Sequence, residues 1–273
     1  MSEEEVIGSF SDEPVTVERI VADLDALGLE PGSVVIVHTR LSSMGWVCGG
    51  PVAVIHALQA RLRSYGTIVM PAHSGDMSDP ELWEHPPVPK SWWQTIRDEM
   101  PAYDPEVTPT RGLGRTPELF RTLPGVVRSR HPQVSFAAWG ERAVEIVSDH
   151  ELEFSLGEGS PLARIYDADG QVLMLGAGFD SCTSFHLAEY RAEYRGRERV
   201  TLGAPVLVDG HRRWKTFTDI NYRSDDFEEI GRAFAKSHKQ QIRTGKVGNA
   251  ESRLFPQRAA VDFATRWMRT HRR

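Results

Sequence analysis

Short apolar runs alternate with amphipathic segments along the first quarter of the chain. Residues 33–39 (SVVIVHT) and 66–72 (GTIVMPA) are short and almost continuously apolar, a pattern typical of strands that are buried on both faces. Apolar positions at helical spacing predict helices over 15–29 and 51–62. Strands that alternate with helices in this way predict an α/β fold with a mixed, partly parallel central sheet and helices on both faces.

The second half of the chain continues this alternation. A third buried strand is predicted over 171–177 (QVLMLGA), and a helix over 183–194 (TSFHLAEYRAEY) follows it. Residues 200–221 predict an antiparallel pair of strands joined by Asp209-Gly210. A helical C-terminal region is expected to close the chain. The other predicted elements are helices over 116–123, 141–150 and 160–169 and a strand over 135–140.

Residues 73–117 break the regular pattern, since they are rich in Pro, Asp and Trp and show no sustained period. A long irregular segment inside a compact domain is more often functional than a mere connection, so we expect an ordered lid or wall on the substrate side. Four aromatic residues in it can bury large surfaces: Trp83, Trp92, Trp93 and Tyr103. Because no repeat or linker divides the chain, residues 1–273 are predicted to form one domain with its core over 15–265.

The composition narrows the class of protein. The 273 residues are 40% hydrophobic and 26% charged, as in soluble globular proteins. No window approaches the roughly 20 consecutive apolar residues that span a bilayer, and the acidic start MSEEEVIGSF is unlike a secretory signal. Two cysteines make no disulfide framework, which favours a cytoplasmic location. A net charge of −6 and a pI near 5.9 disfavour nucleic acid as a partner and are compatible with a polycationic small molecule.

A Ser- and Gly-rich loop separates a predicted strand from a predicted helix in residues 35–58 (VIVHTRLSSMGWVCGGPVAVIHAL). Backbone N–H groups at such a junction can bind a phosphate or a carbonyl oxygen. The spacing matches neither a Walker loop nor G-x-G-x-x-G, so a plain strand-to-helix turn is the simpler interpretation of these residues alone.

His186 has four interpretations: a packed core histidine, a metal ligand, the partner of Cys182, or a general base. Metal binding is disfavoured because HLAE lacks a second histidine one turn away. Cys182 could form a thiolate–imidazole pair, but a small residue is expected there for capping anyway. A general base needs an orienting carboxylate. Asp219 ends a predicted strand and could supply it, whereas Asp225 and Asp226 are expected to cap the next helix.

Five segments then occur together in one order: VIVHTRLSSMGWVCGG, GTIVMPAHSGDMSDPELWEHPPVP, TPTRGLGRTPELFRTLPGVVRSRHPQVSFAAWG, GSPLARIYDADGQVLMLGAGFDSCTSFHLAEY and DINYRSDDFEEIG. Through them the chain resembles the aminoglycoside 3-N-acetyltransferase family, antibiotic acetyltransferases without the GNAT fold, over nearly all of residues 15–265. RSRHPQVSFAAWG and TSFHLAEY together are specific, whereas the glycine loop alone is not. The resemblance implies acetyl-CoA as co-substrate, an aminoglycoside acetylated at its 3-amino group, no metal, and a role in antibiotic resistance.

The resemblance also implies site residues. His186 matches the catalytic base, and Asp219 matches an acidic position that supports it, while Asn221 stands where some relatives carry a second acid. A His–Asp dyad is therefore expected. For His131 a turn-forming His-Pro packing is the alternative. The residues that match the coenzyme side are His38, Thr39, Arg40, Leu41, Ser42, Ser43, Gly45, Arg111, Gly114, His131 and Ser135.

A cationic substrate calls for acidic recognition residues, and Glu189 and Glu193 are expected to share a helical face because they are four residues apart. The acids from which the substrate site would be drawn are Asp76, Asp79, Glu81, Asp104, Asp180, Glu189 and Glu193. The expected reaction is direct transfer in a ternary complex, in which His186 deprotonates the amine. N–H groups near residues 43–45 or the Thr183 hydroxyl would bind the oxyanion.

Three other functions stay open at this point. The same fold could acetylate a different amine in secondary metabolism or detoxification. Cys182 and His186 could form a thiol hydrolase, or the protein could bind an antibiotic without changing it. A monomer and a homodimer are both compatible with the sequence.

Overall fold

Nine strands form in the part of the chain that the computed structural model describes, residues 7–8 and 13–272. In chain order they are β1 (Val34–Thr39), β2 (Thr67–Pro71), β3 (Val127–Arg128), β4 (Phe136–Gly140), β5 (Gln171–Leu175), β6 (Arg199–Val208), β7 (His211–Ile220), β8 (Arg243–Val247) and β9 (Ala250–Pro256). Seven build one sheet in the order β3-β4-β2-β1-β5-β9-β8, and β6 and β7 form a separate hairpin. At the centre, β1 pairs in parallel with both β2 and β5, and the outer pairs are antiparallel.

Helices cover both faces of this sheet. The α-helices between residues 17 and 271 are α1 (Val17–Ala26), α2 (Gly50–Leu62), α3 (Trp93–Glu99), α4 (Arg115–Phe120), α5 (Ala143–Val147), α6 (Pro161–Asp167), α7 (Ser184–Arg191), α8 (Phe227–Ser237) and α9 (Gln257–His271), and all of them except α3 pack on the sheet. Residues of α1, α2 and α4 pack with Val35 and Val37 on one face, and residues of α5 to α9 pack with Ile36 on the other. Consecutive residues of β1 are therefore buried on opposite faces, which explains the continuous apolar runs. The predicted fold class is confirmed.

The expected helical C-terminal region is wrong in one respect. A β-hairpin, β8–β9, stands between α8 and α9, and β9 joins the sheet beside β5. The sequence of β8, RTGKV, is mostly polar because this strand lies at the edge of the sheet, where charged residues are common. The apolar pattern therefore did not reveal it.

The segment 73–117 is ordered and contains only short helices, among them α3. The Tyr103 N–H donates to the carbonyl of Pro205 on β6, and its hydroxyl donates to the carbonyl of Ser129. Trp92 departs from the expectation of burial, since 57% of it is exposed. No helix in the described ranges is both long enough and apolar enough to cross a membrane.

Candidate active site

A cleft of about 690 Å³ opens at the carboxyl ends of the three parallel strands. Val37 and Thr39 of β1, Pro71 at the end of β2 and Ala177 just after β5 line it. Open α/β sheets characteristically bind ligands at this edge. A second cavity of about 510 Å³ adjoins the cleft, and His73 lines both spaces. Two reactants could therefore meet near His73.

Most of the loop that follows β1 lines the cleft. The predicted coenzyme-side residues found there are His38, Thr39, Arg40, Leu41, Ser42, Gly45 and Gly114. Ser43 is not among them, because its hydroxyl donates to the Arg40 carbonyl at 2.6 Å and so closes the loop on itself. Gly45 has a φ of +86°, a conformation that favours glycine and turns the loop back toward the sheet.

Positive groups predominate around the cleft. Arg40 and Arg115 line it, and so does Gly50, the first residue of α2, a helix of 13 residues. The amino end of a helix of this length carries a partial positive charge. Asp180 is the single carboxylate among the described lining residues. This balance of charge suits a ligand that carries several negative charges.

His186 projects into the cleft from the first turn of α7, with 13% of its side chain exposed. Its Nδ1 lies 2.5 Å from Oε2 of Glu189, one turn further along the same helical face. Tyr222 and Phe227 pack against the ring, with centroids 5.0 and 4.7 Å away. Because Nδ1 is engaged by Glu189, Nε2 is the nitrogen left for a ligand in the cleft.

Glu189 is completely buried, so its predicted role in binding substrate from the surface is wrong. Its other oxygen, Oε1, accepts hydrogen bonds from Arg272 Nη1 at 2.5 Å and from the Arg223 N–H at 3.0 Å. The carboxylate thus has a cation on one side and the imidazole on the other. The sequence already contained the signal for this pair, the H-x-x-E spacing within TSFHLAE.

Asp219 was expected to support His186, and this prediction is wrong. Its four hydrogen bonds come from Ser155 N–H (3.2 Å), Ser155 hydroxyl (2.5 Å), Tyr190 hydroxyl (2.6 Å) and its neighbour Ile220 N–H (2.7 Å). None of these bonds, among the residues described, reaches His186. Asp219 is fully buried at the end of β7 and ties that strand to the loop around Ser155.

His131 and Ser135 are buried away from the cleft, so their predicted place on the coenzyme side is wrong. His131 Nδ1 accepts hydrogen bonds from the N–H groups of Gln133 and Val134, each at 3.1 Å, which is the turn-forming alternative. Burial lowers the pKa of His131 to about 4, so the ring is neutral and can accept both bonds. The Ser135 hydroxyl donates to the carbonyl of Ala72 at 2.7 Å and fastens β4 to the end of β2.

Three of the predicted substrate acids are paired with arginines. Asp76 forms an ion pair with Arg111, and Asp79 binds Arg97 through both oxygens at 2.7 and 2.9 Å. Glu81 contacts the same Arg97 at 3.3 Å. Arg111 was predicted on the coenzyme side, but it lines the second cavity and not the cleft that holds the other predicted residues His38 and Arg40.

The remaining predicted acids are dispersed. Asp104 accepts a hydrogen bond from the Glu106 N–H at 2.8 Å and stabilises a turn. Glu193 is exposed beyond the end of α7 at Arg191, so it does not share a helical face with Glu189 and that prediction is wrong. Asp180 alone reaches the cleft.

Two neutral histidines line the cleft, and the sequence had pointed to only one of them. Burial lowers the pKa of His38 to about 4 and, with smaller contributions from neighbouring charges, that of His73 to about 3. Nε2 of each ring is buried and has no hydrogen-bond partner within the described chain. His73 lies two residues after the end of β2, and His38 is the second-last residue of β1. Their place at the same edge of the sheet was the signal that could have found His73.

The residues before α7 decide between the remaining interpretations of His186. Cys182 is fully buried, and burial raises the pKa of its thiol to about 12, which contradicts a thiolate nucleophile. Thr183 makes no capping hydrogen bond at the start of α7, and it lines the cleft. Across the described residues no group of three or more His, Cys, Asp or Glu could hold a metal ion.

Comparison with known proteins agrees with this geometry. The family model for aminoglycoside 3-N-acetyltransferases matches residues 36–269. YokD of Bacillus subtilis (strain 168), an SPbeta prophage-derived aminoglycoside N(3')-acetyltransferase-like protein, is 51% identical over 255 residues, which are 93% of this chain and 92% of YokD. The YokD crystal structure has a TM-score of 0.95 at 48% identity and covers 98% of both chains.

Two further relatives extend the likeness. Aminoglycoside N(3)-acetyltransferase VII of Streptomyces paromomycinus is 40% identical, and the alignment covers 94% of this chain and 93% of the relative. The structure of AAC-IIIb in a binary complex with CoASH has a TM-score of 0.83 at 32% identity and covers 94% of this chain and 97% of that one.

The fold, the cleft and these likenesses define an enzyme of the acyltransferase class. More particularly, the chain belongs to the aminoglycoside 3-N-acetyltransferase family, as its motifs predicted. That membership associates it with antibiotic resistance.

Proposed function

We propose that this acyltransferase moves the acetyl group of acetyl-CoA directly to an amine of an aminoglycoside, with His186 as general base. The observation that carries the proposal is the His186–Glu189 pair, in which Nδ1 is held by a buried carboxylate while the ring lines the cleft. A carboxylate in this position fixes the Nδ1–H tautomer and stabilises the imidazolium that forms. Glu189 therefore takes the role that the sequence had suggested for Asp219.

The cleft fits coenzyme A in charge. Arg40, Arg115 and the amino end of α2 provide positive groups for its phosphates, while only Asp180 opposes them. Acetyl-CoA, when bound, supplies an acetyl group already activated as a thioester. The relative crystallised with CoASH supports the same assignment.

The acceptor enters the reaction as the free amine, with its extra proton lost to solvent, because an ammonium has no lone pair with which to attack. His186 Nε2 takes one of the two remaining protons from the nitrogen. The nitrogen then forms a bond to the acetyl carbon, and the carbon–sulfur bond breaks as the tetrahedral intermediate collapses. The imidazolium can return its proton to the leaving thiolate, so no acyl-enzyme is needed. The Thr183 hydroxyl makes no capping hydrogen bond and lines the cleft, so we propose it as the hydrogen-bond donor to the oxyanion.

The second cavity is the proposed acceptor site. Its lining includes His73 and Tyr222, and both are near His186: the Tyr222 ring packs on the imidazole, and His73 interacts with it electrostatically. The named relatives support an aminoglycoside as the acceptor and its 3-amino group as the site of transfer.

A different amine is the second candidate acceptor, and one observation favours it. The described lining of the second cavity contains Arg111 but no carboxylate. Asp76, Asp79 and Glu81, which a polycation would need, are already paired with arginines. An amine with fewer positive charges would bind there without disrupting these pairs.

The test is turnover of acetyl-CoA with a panel of aminoglycosides and of monoamines, read by thiol release and by mass spectrometry of the product. We expect one acetyl group on the acceptor and none on the protein. Faster turnover with monoamines would select the second candidate. Binding without acetylation would contradict both candidates and leave a sequestering protein.

A further inference from the structure

We propose that Arg272 is a positioning residue for the reaction, which rests on the proposed function: its guanidinium supplies a compensating charge for the buried Glu189 carboxylate and holds it aligned against His186. The sequence drew no attention to this arginine, which follows α9. Its role acts through Glu189 rather than through any contact with a reactant.

Arg272 is held on several sides, and 1% of its side chain is exposed. Nη1 donates to Glu189 Oε1 at 2.5 Å, while Nε and Nη2 donate to the two oxygens of Asp226, each at 2.7 Å. Nη2 also donates to the carbonyl of Arg223 at 3.1 Å. Asp226 was expected to cap α8, but it makes no side-chain capping bond and grips Arg272 instead. Three residues in two separate segments thus fix one guanidinium in place.

The positive charge of Arg272 compensates the negative charge of the buried Glu189 carboxylate. A buried carboxylate without a cation tends to take up a proton, because burial disfavours its charged form. A protonated Glu189 would donate to His186 Nδ1 and force the imidazole into the tautomer that carries hydrogen on Nε2. That nitrogen could then no longer accept a proton from the acceptor amine. Arg272 prevents this, since it supplies a compensating charge at hydrogen-bond distance.

Arg272 itself stays charged in this position. Burial alone would lower the pKa of its guanidinium, but the hydrogen bonds that it donates to Asp226 and Glu189, and the charges of these carboxylates, together raise that pKa above its ordinary value. The titratable or charged groups around Glu189 and His186 are Tyr222, whose ring packs on His186, Arg223, whose N–H donates to Glu189, and Arg272. Tyr194 and Asp226 contact Arg272 itself, and His73 interacts with His186 at longer range.

Arg272→Gln is the informative variant, because it keeps a hydrogen-bond donor and removes the charge. We expect kcat to fall about 10- to 100-fold, the usual effect of a group that orients a reacting residue through one intermediary. The KM for acetyl-CoA should be unchanged, since Arg272 does not line the cleft. The acidic limb of the pH profile of kcat/KM should move to higher pH, because the buried Glu189–His186 pair would lose its compensating positive charge.

Two further variants distinguish an effect on the positioning of Glu189 from an effect on the structure alone. Arg272→Lys keeps the charge, so its pH profile should stay close to that of the wild type even if kcat falls. Arg272→Ala should regain activity in a saturable manner when guanidinium ions are added. The matched control is Arg142→Gln, which breaks an exposed two-bond pair with Glu145 and should change neither kcat nor the pH profile.

Nitrogen NMR of labelled histidine gives a readout that does not depend on turnover. We expect hydrogen on Nδ1 of His186 in the wild type at neutral pH, and a shift toward Nε2 in Arg272→Gln. An unchanged tautomer with an unchanged pH profile in that variant would overturn the role of Arg272. If the wild type acetylates no amine while Arg272→Gln still shifts the tautomer, the proposed function is contradicted and the positioning role of Arg272 remains.

Discussion

Changing Glu189 to Gln and Asp219 to Asn should separate activity from stability. In Glu189→Gln the amide oxygen must stay on the side of Arg272 and the Arg223 N–H, because both groups donate to it. The amide NH₂ must then face His186 Nδ1 and donate to it. His186 is forced into the tautomer with hydrogen on Nε2, so we expect kcat to fall about 100- to 10,000-fold, the whole contribution of a general base.

Asp219→Asn should behave in the opposite way. Each oxygen of Asp219 accepts one backbone N–H, from Ser155 on one side and from Ile220 on the other. Either orientation of an asparagine amide therefore sets its NH₂ against a backbone donor in a fully buried place. We expect the free energy of unfolding to fall by about 3 to 5 kcal/mol, and kcat at low temperature to change no more than a few-fold.

The assay pairs steady-state thiol release with urea unfolding followed by circular dichroism. Both variants are compared with wild type at a temperature where each is folded. Near wild-type kcat in Glu189→Gln, together with a loss of about 100-fold in a stable Asp219→Asn, would restore Asp219 as the functional partner of His186.

Three further outcomes are expected. Cys182→Ala should keep kcat within about two-fold and cost about 1 kcal/mol of stability, since the buried thiol is not a nucleophile; lost turnover in a stable variant would revive the thiol hydrolase. Arg40→Gln and Arg115→Gln should each raise the KM for acetyl-CoA by about ten-fold, less so at high salt, and unchanged KM values would contradict their phosphate role. The pKa of His131 is lowered to about 4 in the folded protein, so between pH 6.5 and 4 the unfolded state binds a proton that the folded state does not, and stability falls as the pH falls. His131→Asn keeps an acceptor for both backbone N–H groups and should flatten this decline, measured by urea unfolding, by about 1.4 kcal/mol per pH unit; an undiminished slope would contradict the assignment.

The centre of the fold was predictable because its strands are buried on both faces. The runs at β1, β2 and β5 are almost continuously apolar, a pattern typical of strands that are covered on both faces of a sheet. The hairpin β8–β9 was not predictable, because the polar edge strand β8 resembles a loop in sequence.

The candidate site likewise has features that were predictable from the sequence and features that were not. The loop after β1 was predictable, since it leaves a buried strand at the edge of the sheet where ligands bind. The partner of His186 was assigned wrongly, although Glu189 lies only three residues away, because burial decides whether an acid faces solvent or an imidazole. Arg272 could not be identified from the local sequence pattern, because its hydrogen-bond partner Glu189 lies 83 residues away along the chain.

The arginine partners of the acidic residues were not predictable from the sequence for the same reason. Asp79 and Arg97 are 18 residues apart, and nothing local in the sequence says that they form a two-bond pair. A count of acids therefore overestimated the negative charge that an acceptor would meet.

The most direct measurement is kcat of His186→Ala with acetyl-CoA and the best acceptor, together with calorimetric binding of the coenzyme. We predict a fall of at least about 100-fold in kcat with coenzyme affinity retained, because only the proton acceptor has been removed. Turnover close to that of the wild type would contradict it.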